Sequence, residues 1–242
     1  HAVPVKVAKY SPTGFYIASA DLYGKIRIWD TTSKEHILKY EYQPFAGPVK
    51  DLAWSEDSKR IIVGGTGREK FGTVFMWDTG SSVGEIMGMS RTINSVDLRI
   101  TRPYRAVTGS EDSVVCFFAG PPFRFKLSST VSKNYVFISK KHSNFVNCVR
   151  FSPTGAVFIS GGADGRIFVY DGDSGECLYE VEPAHKGGVY GIAFSPDGKY
   201  FISASADRFV KAWNLDGTVV SLMSEFKLSD NINDMIVSSY SI

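Results

Sequence analysis

The stretch Val189–Asn214 reads VYGIAFSPDGKYFISASADRFVKAWN. It divides into three short runs of alternating, β-branched and aromatic residues, separated by Ser195-Pro196-Asp197-Gly198 and by Ala206-Asp207. Proline presets φ at the first corner of a turn and glycine accepts positive φ at the last, so Ser-Pro-Asp-Gly joins two of the runs as a hairpin. The same layout returns in Phe145–Asp171, FVNCVRFSPTGAVFISGGADGRIFVYD, and in Val5–Asp30, VKVAKYSPTGFYIASADLYGKIRIWD. Val49–Asp78 repeats it as VKDLAWSEDSKRIIVGG followed by GTVFMWD, and Ile93–Ala119 is a degenerate fifth copy. The closing aromatic anchor falls at Trp29, Trp77, Phe118, Tyr170 and Trp213. That is a period of roughly 40 to 50 residues, which marks a repeat architecture.

Each interval holds three runs up to the anchor and one after it, hence four strands, and no window carries an apolar stripe at helical spacing. A lone four-stranded sheet cannot cover both of its apolar faces, whereas tandem copies can pack face to face around an axis. The expected fold is therefore an all-β propeller of about five to six blades. Its repeats run over 5–48, 49–92, 93–141, 142–185 and 186–222, and 223–242 opens a further blade.

Composition narrows the function classes. The 242 residues are 43% hydrophobic and 21% charged, which supports a sizeable core and excludes disorder. A net charge of +2 is too small for a whole-surface attraction to nucleic acid or anionic lipid. Cys116, Cys148 and Cys177 form no C-x-x-C pair, so a disulfide framework or thiolate metal site is not expected, and a reducing compartment fits best. No run of about 18 apolar residues suggests a membrane helix.

Few motifs point to chemistry. Gly80-Ser81-Ser82-Val83-Gly84 matches G-x-S-x-G, yet it follows a third strand and leads into a fourth, where a nucleophile elbow needs a helix. Asp171–Glu182 faintly resembles a calcium loop but has Glu176 where that loop needs glycine. Asp112, Asp164 and Asp207 precede the third strand, where a short acceptor ties down a turn, and the four histidines are not spaced for a metal. Two places break the repeat economy. The turn Gly64–Gly72 is lengthened and carries Arg68, Glu69, Lys70 and Phe71, either as a binding loop or as a solvated loop closed by Phe71 packing inward. Gly120-Pro121-Pro122-Phe123-Arg124-Phe125-Lys126 reads as an outer edge with Phe123 and Phe125 on one side and Arg124 and Lys126 on the other, either as a protein-binding edge or as a flank that both rings cover. Nucleic-acid binding through Lys133, Tyr135, Lys140 and Lys141 is weak, because no broad basic face accompanies them.

The Trp-Asp endings, the Ser-Pro-x-Gly turns and the Ala-Asp segments before the third strands resemble the WD-repeat signature over nearly the whole chain. His185, before Gly187-Gly188-Val189, matches that family's Gly-His position, where the imidazole bonds inside the blade. WD-repeat propellers usually close with seven blades, and the opening His1-Ala2-Val3-Pro4 lacks an initiator Met, so a longer natural chain is expected. Segments that the repeat does not require go further. Lys34–Gly47, Gly67–Gly72, Asp78–Gly84 and Gly120–Lys126 are similar to the first propeller of the actin-interacting protein 1 family. That resemblance implies a non-catalytic regulator of the cytoplasmic actin cytoskeleton, working with cofilin to disassemble actin filaments. It implies no cofactor, small-molecule substrate, nucleic acid or membrane partner. The family's contact positions fall on Glu69, Glu111, Arg124, Phe125 and Phe145, with Glu111 in place of Asp and Arg124 in place of Lys. The connection Leu127–Asn144 is longer than usual in that family. The competing expectation is a WD-repeat scaffold for another complex, such as a ubiquitin-ligase substrate receptor.

Overall fold

The computed structural model describes residues 1–44, 46–123, 136–182, 184–217, 219–230 and 232. Twenty strands, β1 to β20, form five four-stranded antiparallel sheets in chain order, and the described residues contain no helix. Blade 1 is β1 (Val5–Tyr10), β2 (Tyr16–Asp21), β3 (Ile26–Asp30) and β4 (Leu38–Tyr42). Blade 2 is β5 (Val49–Trp54), β6 (Arg60–Gly65), β7 (Gly72–Met76) and β8 (Ser82–Ile86). Blade 3 is β9 (Ile93–Leu98), β10 (Arg105–Ser110), β11 (Val115–Ala119) and β12 (Val136–Ser139). Blade 4 is β13 (Val146–Phe151), β14 (Val157–Gly162), β15 (Ile167–Asp171) and β16 (Cys177–Val181). Blade 5 is β17 (Val189–Phe194), β18 (Tyr200–Ser205), β19 (Phe209–Asp216) and β20 (Val219–Lys227).

The Ser-Pro-x-Gly turns lie where expected, between first and second strands. The serine carbonyl accepts the glycine N–H at 2.8 to 2.9 Å in blades 1, 4 and 5, and Gly14, Gly155 and Gly198 have φ near +70°. Two readings of the sequence change. In four blades the anchor sits opposite an equivalent second-strand residue, Trp29 facing Ile17, Phe118 facing Ala106, Tyr170 facing Phe158 and Trp213 facing Phe201. In blade 2 that place belongs to Phe75, opposite Ile61. Trp77 lies past the end of β7, packs against Tyr16 of blade 1 with ring centroids 4.2 Å apart and planes tilted by 42°, and donates its indole N–H to the Ser58 carbonyl. The last strand, β20, continues through Lys227, so residues 223–227 belong to blade 5 and the boundary expected after residue 222 falls inside a strand.

The core is four apolar seams, each between consecutive blades. Ile26 and Ile28 meet Leu52, Ile61 and Phe75; Ile62 and Val74 meet Val96, Phe118 and Phe123; Val107 and Phe117 meet Val149, Phe158 and Tyr170; Ile159 and Val169 meet Ile192, Phe201 and Trp213. Among the described residues no fifth seam joins blade 5 to blade 1.

The innermost strands are also tied by charge. Asp51 on β5 accepts from Lys9 Nζ of β1 at 2.9 Å and from Arg150 of β13 and the Val96 N–H of β9 at 3.1 Å. Ser95 Oγ donates to Asp51 and accepts from Arg150 and from the Val149 N–H. Burial alone would raise the Asp51 carboxyl, but Lys9 and Arg150 outweigh it and hold its pKa at about 2. For Asp97, which accepts the Phe151 N–H, burial wins over Arg150 and the pKa rises.

Candidate functional site

In antiparallel blades of this order, the turns from second to third strand lie at one end, together with the links into the next blade. We call that end the top face. First-to-second and third-to-fourth turns lie on the bottom face. Three top-face turns are pinned from inside. In blade 5, His185 bonds through Nδ1 to Asp207 at 3.0 Å and through Nε2 to Ser203 Oγ at 2.7 Å, and Trp213 donates its indole N–H to the same Oγ at 2.8 Å. Asp207 also accepts the N–H groups of Lys186 and Phe209. Blade 4 repeats this with His142, Asp164, Ser160 and Tyr170. Blade 1 does so with His1, Ser19 and Trp29, its carboxylate coming from Asp21 at the end of β2. All three His–Ser pairs are 18 residues apart, a spacing readable in the sequence but noticed there for none of them.

An imidazole between carboxylate and hydroxyl has the connectivity of a catalytic triad. Here it is a clamp. Ser160 and Ser203 have no solvent exposure, and Ser203 Oγ is already bonded by Trp213. Burial pushes the His185 imidazole below its ordinary value despite the opposing Asp207. A neutral ring then donates from Nδ1 to Asp207 and accepts the Ser203 proton at Nε2, while Ser203 Oγ accepts from Trp213, so every group is satisfied. The other chemical motifs resolve similarly. Ser82 opens strand β8 after a turn at Gly80, with no helix behind it. Asp171 Oδ1 is occupied by the N–H groups of Asp173 and Ser174 and by the Ser174 hydroxyl.

Blades 2 and 3 lack the clamp. In blade 2, Val63 occupies the serine's register and Phe75 the anchor's. Its lengthened turn is held by Gly65 N–H on the Phe71 carbonyl at 2.8 Å and by Thr66 N–H on the Pro48 carbonyl at 2.9 Å. Phe71 packs inward on the seam between blades 2 and 3. The chain doubles back so tightly that a Cβ on Gly67 would lie 1.7 Å from the Lys70 carbonyl oxygen. Arg68, Glu69 and Lys70 are left exposed at the tip, Lys70 paired with Glu85. In blade 3, Met89 stands where the histidine would. Its sulfur is 3.6 Å from Thr108 Oγ1, and Asp112 still accepts the Ser90 N–H at 2.7 Å. Glu111, beside Asp112 and partly exposed, donates its N–H to the Thr92 carbonyl. Phe145 precedes β13 with 39% of its surface exposed, its N–H on Asn144 Oδ1 and its carbonyl on the Ala163 N–H.

The top face of blades 2, 3 and 4 thus brings Glu69, Glu111 and Phe145 to one side of the molecule. Arg124 and Phe125 lie outside the described residues, as do Lys133 and Tyr135. In the segment leading to Arg124, Phe123 takes the flank-covering of the two expected roles: it is 1% exposed, donates its N–H to the Val83 carbonyl and bridges Gly84 on the flank of blade 2. Gly84 has no room for a side chain there, since a Cβ would meet the Phe123 carbonyl oxygen at 2.2 Å. The outer strand of blade 3 is β12, so the connection read as Leu127–Asn144 contains a blade strand and the clamping His142. The top face of these blades exposes a mixed set of side chains, Arg68, Glu69, Lys70 and Phe145.

The five blades define a WD-repeat propeller chain. The family description "WD domain, G-beta repeat" matches residues 1–30, 133–171 and 175–214, which fall in blades 1, 3, 4 and 5. The chain is homologous to proteins named WD repeat-containing protein 1 and actin-interacting protein 1. It is 57% identical to mouse WD repeat-containing protein 1 and 60% identical to Xenopus laevis WD repeat-containing protein 1-B, over 97% of its own length in both cases. To Drosophila melanogaster actin-interacting protein 1 it is 51% identical over 98% of its length. It spans 37% of the length of each. Among solved structures, the β-propeller domain of Myceliophteria thermophila Cps50 (Swd1) superposes with a TM-score of 0.75 at 14% identity, covering 94% of this chain and 72% of that one, a likeness of fold alone.

Proposed function

We propose that this propeller is a non-catalytic, actin-binding regulator of the cytoskeleton that engages cofilin-decorated actin filaments and promotes their disassembly. The observation that carries this reading is the 51% identity, across nearly the whole chain, to a protein named actin-interacting protein 1. The top face supports it with a contact surface in which Phe145 is an aromatic anchor and Glu69 and Glu111 select the partner by charge. Anchors in a desolvated centre with charges at the rim are the usual division of labour in protein interfaces. Phe125 and Arg124 contribute in the same two roles.

Cosedimentation of the chain with actin filaments, with and without cofilin, tests this directly. Binding in the pellet and actin release to the supernatant should both depend on cofilin. Alanine at Phe145 and Phe125 should cut binding at least about tenfold while the unfolding midpoint stays put. Unchanged pelleting by those variants discards the assigned contact, and no cofilin-dependent binding by the parent chain discards the actin reading in favour of a WD-repeat scaffold for another complex.

A further inference from the structure

The bottom face carries an arginine cluster that neither the repeat nor the top-face contact uses. Blades 1, 4 and 5 turn from first to second strand on Ser-Pro-x-Gly, but blade 3 makes this turn with Arg99-Ile100-Thr101-Arg102-Pro103-Tyr104-Arg105. Two neighbouring guanidiniums show what this surface accepts. Arg99, 7% exposed, pairs with the Asp173 carboxylate that blade 4 extends across the seam, and with the Gly172 carbonyl. Arg60, at the foot of blade 2, pairs with Asp57 at 2.6 Å and lies 4.9 Å from the Tyr104 ring, whose hydroxyl donates to the same Asp57.

Among the described residues no carboxylate lies within ion-pair distance, 4.0 Å, of Arg102 or Arg105. Arg102 is exposed, and its one contact is with the Tyr104 ring, 5.5 Å away. Arg105 donates only to carbonyl oxygens, those of Tyr104 and Asp173; burial and then the charge of Arg99 lower its pKa against the weaker attraction of the Asp173 carboxylate. Beside them Ile100 is 40% exposed. A planar guanidinium binds a carboxylate with two parallel hydrogen bonds, and an adjacent apolar side chain adds the desolvated contact that a surface ion pair lacks. Phosphodiester backbones instead need a continuous basic track, and this cluster is interrupted by Glu56, Asp57 and Asp173.

We infer that the bottom face of blade 3 is a second docking surface, taking an acidic, carboxylate-bearing segment of a partner protein on Arg102 and Arg105, with Ile100 and Tyr104 as its apolar floor. It faces away from Glu69, Glu111 and Phe145 and does not depend on the actin reading.

Fluorescence anisotropy on the full chain at low salt tests it, using a labelled Asp/Glu-rich peptide, its Asn/Gln counterpart and a single-stranded oligouridylate of matched length. The acidic peptide should bind and the amide peptide should not. Arg102→Glu should weaken binding at least about tenfold, as should added salt, because the attraction is between exposed charges. Arg105→Gln should weaken it less, and Lys50→Glu, on the inner strand of blade 2, should leave it unchanged. Absence of acidic-peptide binding, equal binding by Arg102→Glu, or a preference for the oligouridylate overturns the proposal.

Discussion

Blades 4 and 5 and blades 2 and 3 have the same four strands and the same seams, yet they hold their top-face turns by different means. In blades 4 and 5 a buried histidine bridges a turn aspartate to a second-strand serine and so ties the turn to the blade interior. Blade 2 replaces the polar set with Val63 and Phe75 together, leaving no half-satisfied remnant, and blade 3 keeps only Asp112 and Thr108. Replacing a whole buried polar set by apolar residues costs little, whereas deleting one member strands its partners. Without the clamp, the turn of blade 2 is lengthened and exposes Arg68, Glu69 and Lys70, while that of blade 3 keeps the length of the blade 4 turn and carries Glu111. Four of the five expected contact residues lie in blades 2 and 3 or in the segment leaving β11. Blades 1, 4 and 5 thus fix these turns through a histidine, and blades 2 and 3 do without one.

The largest effect expected from this contrast is at the charged ties of the innermost strands, which join the unclamped blades to the rest. Asp51→Ala removes the carboxylate shared by Lys9, Ser95, Val96 and Arg150 and leaves Arg150 without its ion-pair partner. A loss of about 3 to 5 kcal/mol in urea unfolding is expected, typical of breaking one side of a buried ion pair. A loss below that of Ser203→Ala would reverse the order and make the clamps, not the inner-strand charges, the chief tie.

The second test sets the blades against each other. Ser203→Ala strands His185 Nε2 and Trp213 Nε1 in the interior of blade 5 and should cost about 2 to 4 kcal/mol. Thr108→Ala, at the same register in blade 3, loses one weak contact with the Met89 sulfur and should cost about 1 kcal/mol. Equal losses in urea midpoints would show that the clamp adds nothing beyond burial of the strand.

The legibility of the molecule follows the same division. Strand turns repeat a local rule, so Ser-Pro-x-Gly placed the hairpins of blades 1, 4 and 5 where they stand. His185 was readable from its neighbours, but His142 and His1 were not, because their flanking residues differ and only the distance to a serine is kept. Trp77 misled because a Trp-Asp pair outweighed the strand register that puts Phe75 opposite Ile61. Phe123 stayed open between edge and flank, because alternation says which side a residue takes, not whether a neighbouring blade covers that side. Asp51 and Arg150 are 99 residues apart and meet only because inner strands converge on an axis, which no periodicity encodes.

The smallest expected effect is the most pointed, since it tries to turn one kind of blade into the other. In blade 3 the Ser90 N–H reaches Asp112 as the Ser143 N–H reaches Asp164 and the Lys186 N–H reaches Asp207, so the preceding residue, Met89, holds the histidine's place. Thr108 supplies a hydroxyl at the serine's register and Asp112 a carboxylate, while Phe118 offers no polar atom to complete the set. Met89→His should therefore recover two of the three clamp bonds and raise stability by up to about 1 kcal/mol, seen as a higher urea midpoint at unchanged slope. The imidazole would also stiffen the turn that carries Glu111, and slower amide exchange at Glu111 and Ser113 would report that without reference to any partner. A lowered midpoint would mean that the groove lined by Met89, Val114 and Ile138 is packed for a thioether. The open turn of blade 3 would then be a property of its apolar filling and not of a missing histidine.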